Sequence, residues 1–176
     1  MEKFVKSLIV RSASKIFNRA LEDLKKEFPK SKITVIATSD AENSLKNNSL
    51  VDEYILLPQG RMNLFKLGWK NLKKLRKEKF DLGVALYNYK LGLGYSNIDF
   101  MIFAISPKEF RSFNIYNEWV KIKTNEIFKK WVKERFYYIF VFLNLILTYI
   151  LFFLIFISIF FEEKILRKFN HQKPYS

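Results

Sequence analysis

Two hydrophobic rhythms alternate along the first two thirds of this chain. Short, continuous apolar runs predict buried strands, and stretches with apolar residues three or four positions apart predict helices. Leu8–Val10 is a run of the first kind. Ile16, Phe17, Ala20, Leu21, Leu24 and Phe28 then follow a helical spacing until Pro29 ends it. Ile33–Ala37 reads as a second strand, and Ser39 with Glu42 has the spacing of a capping box before a short helix. Tyr54–Leu57 is a third strand. Gln59-Gly60-Arg61 then turns into a long helix from Asn63 to Lys79. Leu82–Leu86 is a fourth strand, followed by a polar, glycine-bearing loop from Tyr87 to Asn97 and an apolar helix from Ile98 to Ile105. Phe113–Tyr116 reads as a fifth strand. Ile127, Phe128, Trp131 and Val132 mark the apolar face of a last, lysine-rich helix.

Alternating strands and helices, with strands apolar on both faces, predict a Rossmann-like, doubly wound parallel α/β sheet of about five strands. No internal repeat interrupts the pattern.

The rhythm then stops. From Phe136 to Phe161 lie about 26 residues without a charge, roughly 39 Å of helix where about 30 Å crosses the hydrocarbon of a bilayer. A transmembrane helix is expected here, with Trp131, Tyr137 and Tyr138 at its entry side. The expected layout is an α/β domain over residues 1–120, a basic amphipathic helix over 121–135, the span over 136–161 and a polar tail over 162–176. The beginning of the chain, Met1–Lys6, is charged and unlike a secretory leader. Cations are denser before the span than after it. Both features predict a single pass through the inner (cytoplasmic) membrane with the α/β domain in the cytoplasm. The cations of the tail leave an in-plane or hairpin arrangement as the alternative.

Charge sharpens the picture. The whole chain carries a formal net charge of +14, of which about +12 falls before the span. Lys66, Lys70, Lys73, Lys74 and Lys77 line the helix after the third strand. Anionic lipid headgroups are the partner expected for Lys66, Lys70, Lys73 and Lys77, and a merely solvated face is the alternative. Nucleic acid would suit the charge, but no recognition motif accompanies it. There is no cysteine, and the single histidine, His171, sits in the polar tail. Thiolate chemistry is thereby excluded, and neither a metal site nor a cofactor is expected.

Chemistry in such sheets gathers at the carboxyl ends of the strands. Two loops there carry suitable residues. After the first strand, Arg11-Ser-Ala-Ser-Lys15 offers Arg11, Ser12, Ser14 and Lys15 at a helix start, a combination that can hold an anion. Ser12 or Ser14 would equally serve as a plain helix cap. After the fourth strand, Asn88, Lys90, Gly92, Gly94, Ser96 and Asn97 combine amides, a cation and close backbone approach, which suits sugar or phosphate recognition. The loop lacks the third glycine of a dinucleotide fingerprint and the Gly-Lys-Ser/Thr of a P-loop. Asp99 and Glu118 are the acids near these loops, and spacing selects neither as a general base.

Several stretches together resemble the N-terminal half of the family 9 glycosyltransferases, the heptosyltransferase-like enzymes of the GT-B fold. They are Leu8–Arg11, Arg19–Pro29, Lys32–Ile36, Asn48–Tyr54 and Leu72–Leu82, within about residues 7 to 116. The resemblance implies recognition of an envelope glycan or lipid-linked acceptor. It also implies a first loop with a Gly-Asp pair whose aspartate activates the acceptor. Here that loop reads Ser12-Ala-Ser-Lys-Ile-Phe-Asn18, without the pair. In the GT-B fold a C-terminal domain holds the sugar nucleotide, whereas a membrane span follows here. The expected function is thus a membrane-anchored, glycosyltransferase-like domain working with a separate donor-binding subunit. A non-catalytic anchored interaction module is the alternative.

Overall fold

The computed structural model describes residues 4–90, 92 and 94–170, with side chains as far as Lys164. Six strands form one sheet: β1 (Lys6–Val10), β2 (Lys32–Thr38), β3 (Glu53–Leu57), β4 (Leu82–Tyr87), β5 (Glu109–Asn114) and β6 (Trp119–Lys121). Their order is β3-β2-β1-β4-β5-β6. The first five run parallel, with Ile9 of β1 opposite Val35 on one side and Val84 on the other. Strand β6 is antiparallel to β5.

Helices cover both faces of this sheet. Helix α1 (Phe17–Glu27) and the short α2 (Glu42–Lys46) lie on one face, where Ile9, Val35, Val84 and Phe113 meet Leu21, Leu24 and Leu45. On the other face lie α3 (Leu64–Glu78), α4 (Ser96–Ile105) and the start of α5 (Thr124–Asn170). There Leu8, Val10, Ile36 and Ala85 meet Leu67, Leu75, Met101, Ile102 and Ile127. Alternate residues of each strand feed opposite cores, which is why the strands read as unbroken apolar runs. Truncating a fully buried Leu8, Leu21 or Leu75 to alanine would cost about 2–5 kcal/mol.

The amino edge of the sheet is pinned by two carboxylates. Asp52 accepts from the Ile33 amide at 2.7 Å, and Asp81 accepts from the Lys6 amide at 3.0 Å. Both belong to the stretches that carry the family resemblance. Their work is at the end of the sheet opposite the loops that follow β1 and β4.

Three expectations need correction. The fifth strand begins at Glu109, not Phe113, and ends before Tyr116, which is 61% exposed. The chain turns because Asn114 Oδ1 accepts from the amides of Tyr116 and Glu118, at 2.9 and 3.2 Å. That turn creates β6, an edge strand the pattern did not announce. Ser39 and Glu42 make no capping box: a 3-10 turn over Ser39–Ala41 precedes α2, and neither helical start has a side-chain cap. Glu42 instead pairs with Lys46 one turn on, at 2.8 Å. Helix α3 is not straight. Gly68, at φ 73 and ψ 154, breaks its helical geometry in a conformation that suits a glycine. Finally, Phe128 is 60% exposed, so the face of α5 packed on the sheet is centred on Ile127.

The chain divides into two compact units, Met1–Glu134 and Arg135–Ser176. Within the second, α5 runs on as an apolar helix, long enough to cross a membrane, with large side chains such as Phe140, Leu147 and Phe156 exposed. His171 and the residues after it lie outside the described residues.

Candidate functional site

The sheet order places its switch point between β1 and β4, where connections leave for opposite faces. A crevice opens there beyond the carboxyl ends of the strands. It holds about 300 Å3 and is lined by Arg11, Ser12 and Ser14 after β1, Thr38 at the end of β2 with Asp40 beyond it, Arg61 before α3, and Gly94 and Tyr95 before α4.

Two arginines and a carboxylate set its electrostatics. The Arg11 guanidinium sits 5.2 Å from the centre of the Phe17 ring, and its Nε is buried without a hydrogen-bond partner. Arg61 donates to the Gly94 carbonyl at 3.3 Å, bracing the β4–α4 loop against the β3–α3 loop. A hydrogen bond from the Thr38 side chain, its own backbone amide and the nearby Arg11 charge hold Asp40 below the usual carboxylate range. It is therefore an ionised acceptor at neutral pH, suited to sugar hydroxyls. Ser12 donates to the Leu86 carbonyl, joining the ends of β1 and β4. Neither Ser12 nor Ser14 caps α1, whose N-cap is Ile16 without a side-chain bond.

The sequence-level candidates divide. Arg11, Ser12, Ser14 and Gly94 share this cleft. Lys15 is exposed and outside it, and so is Asn88, whose amide donates to the Tyr95 hydroxyl at 3.3 Å. Ser96 is buried and Asn97 half-buried within α4. Gly92 is buried at φ 59, and a Cβ there would run into the Tyr87 ring, so its role is to let the loop close over Tyr87. Asp40, Arg61 and Tyr95 escaped the sequence reading. Asp40 and Arg61 follow other strands, and only the sheet order brings them beside Arg11.

Lys90 lines a second cleft of about 430 Å3, at the ends of β4 and β5 and beside the start of α5. At its base Asp99 is 1% exposed. The Lys130 ammonium donates to Asp99 Oδ2 at 2.6 Å, Tyr87 donates its hydroxyl to Oδ1, and Lys130 lies 4.6 Å from the Tyr87 ring centre. Burial pushes the Asp99 carboxyl above its ordinary range, although both partners oppose this. Burial also raises the Tyr87 phenol, with Asp99 adding to the effect. Both carboxylate oxygens are occupied, so Asp99 serves the architecture. Glu118 accepts from Asn114 Nδ2 at 3.0 Å and closes the β5–β6 turn.

On α3, Lys70, Lys73 and Lys77 are exposed, whereas Lys66 is half-buried and donates to the Gln59 carbonyl at 2.6 Å. Phe65 and Trp69, 95% and 64% exposed, stand among them, with the Lys73 ammonium 5.3 Å from the Trp69 ring.

No family model and no curated protein matches the chain. Two solved structures are similar to it. One is the glycosyl transferase family 9 protein from Veillonella parvula DSM 2008, with 18% identity and a TM-score of 0.47, covering 65% of this chain and 33% of that one. The other is the E. coli ADP-heptose lps heptosyltransferase II, with 16% identity and a TM-score of 0.42, covering 60% of this chain and 34% of that one. The likeness is one of fold. The chain spans about a third of the length of either structure.

Proposed function

We propose that this chain is the acceptor-side half of a glycosyltransferase, held at the inner membrane by the apolar segment of α5. The crevice at the switch point would bind an envelope glycan or lipid-linked acceptor, and a separate subunit would supply the donor site. One observation carries this reading: Arg11, with its buried, unpartnered Nε, shares a 300 Å3 cleft with Arg61 and the ionised Asp40. Guanidinium groups take up phosphate or carboxylate substituents in defined geometry. An ionised carboxylate in the same cleft accepts from sugar hydroxyls. Envelope glycans present both kinds of group.

The test uses the full chain in neutral phosphatidylcholine nanodiscs. A phosphorylated envelope oligosaccharide should bind more tightly than the same oligosaccharide after phosphatase treatment. Arg11→Ala and Arg61→Ala should each weaken binding about tenfold or more, the scale of a lost charge-assisted hydrogen bond. Equal binding by parent and both variants would remove the cleft from the function. Purification from native membranes should also bring down a protein with a nucleotide-sugar site.

A further inference from the structure

The second cleft is built differently from the first. Its wall is apolar, from Val120 and Ile122 after the β5–β6 turn and Ile127 of α5, whereas the exposed Lys90, Lys129 and Lys133 also line it. These three lysines have no hydrogen-bond or ion-pair partner among the described residues. The acids of the same cleft are engaged. Asp99 is neutralised by Lys130, Glu118 accepts from Asn114, and Glu126 accepts from the Lys123 amide at 3.2 Å. Four lysines against three acids leave an excess of one positive charge in a chain of net +14. The free donors are therefore ammonium groups, and they share the cleft with a greasy wall.

We propose that this cleft binds the head of an anionic amphiphile: a phosphate monoester held by Lys90, Lys129 and Lys133, with the first carbons of its tail against Val120, Ile122 and Ile127. A volume of about 430 Å3 takes a phosphate and a short apolar stem, not a whole lipid. The tail must lead out of the cleft. In sequence, Lys133 stands three residues before the uncharged run that begins at Phe136, so a membrane lipid is the source of such a molecule. Free phosphate shares the head chemistry but gains nothing from the apolar wall. The inference uses none of the residues of the first cleft and stands independently of the acceptor reading.

Lysine acylation footprinting of the full chain in phosphatidylcholine nanodiscs tests it. Dihexanoyl phosphatidic acid should protect Lys90, Lys129 and Lys133, at a concentration at least tenfold below that needed by inorganic phosphate. Dihexanoyl phosphatidylcholine should not protect them. Lys70, Lys73 and Lys77 should need at least tenfold more of the lipid for the same protection, as expected of surface charge attraction. Val120→Ser, at a position 45% exposed and so tolerant of the change, should weaken protection by the lipid and leave that by phosphate as it was. No protection by phosphatidic acid would overturn the proposal. So would equal protection of the α3 lysines, which would show general charge attraction, or equal potency of inorganic phosphate, which would show an anion site without a place for the tail.

Discussion

The Lys130 ammonium lies 2.6 Å from the buried Asp99 carboxylate, across thirty-one positions of sequence. The pair joins the first turn of α4 to the start of α5, and Tyr87 at the end of β4 completes it. A buried pair of this kind repays little of its desolvation cost, but losing one partner strands the other charge.

Lys130→Met should therefore destabilise the chain by about 3–5 kcal/mol, read as a fall in melting temperature in detergent. Adding Asp99→Leu to that variant should recover most of the loss, because no charge is then left buried. A double variant no more stable than Lys130→Met would show that the pair contributes more than mutual neutralisation.

The pH dependence has a definite sign. Burial raises the Asp99 carboxyl above its unfolded value, so the folded state holds the proton more tightly. The stability this contributes is present at low pH and is lost as pH rises through the folded-state value. Asp99→Asn cannot titrate there. As pH rises above the ordinary carboxylate range the variant should gain on the parent in melting temperature. A trend in the other direction would mean that Lys130 outweighs burial.

Gly92→Ala should cost about 2 kcal/mol or more, from a left-handed backbone and the Tyr87 ring together. Gly94→Ala meets no neighbour within 4 Å and bears only the backbone cost. Near-equal melting temperatures for the two variants would argue against close packing of Gly92 on Tyr87.

Removal of the residues from Phe136 onward should release a folded, soluble domain, because the contacts of the first compact unit end at Glu134. The full chain should remain with membranes after alkaline extraction. Its appearance in the soluble fraction would rule out the anchor.

With that soluble domain, changing Lys70, Lys73 and Lys77 to Gln should weaken binding to anionic vesicles, by about 1 kcal/mol per cation at low salt. Lys66 should matter less, since the Gln59 carbonyl already occupies it. Phe65→Ala with Trp69→Ala should reduce the part of the binding that persists at high salt, as expected for apolar insertion. Salt-independent binding unaffected by either set would leave this face without a role at the membrane.

Local signals determined much of this molecule. Four of the parallel strands, the end of the fifth and their helices were legible because each buried strand must be apolar on both faces, and each covering helix must repeat its apolar residues every turn. The apolar segment after Arg135 was legible for the same reason, since its composition leaves no polar face to find. Arg11 and Gly94 could be named because strand ends mark where crevices form. Tertiary structure decided the rest. Strand β6 exists because Asn114 folds the chain back on β5, and three residues of edge strand carry no periodicity. Asp40 and Arg61 reach Arg11 only through the order β3-β2-β1-β4, which no local pattern encodes. Asp99 reads in sequence as an acid near a helix start. Its burial against Tyr87 and Lys130 arises where α5 packs back on the sheet, and a charge buried at such a distance in sequence leaves no trace in the residues beside it.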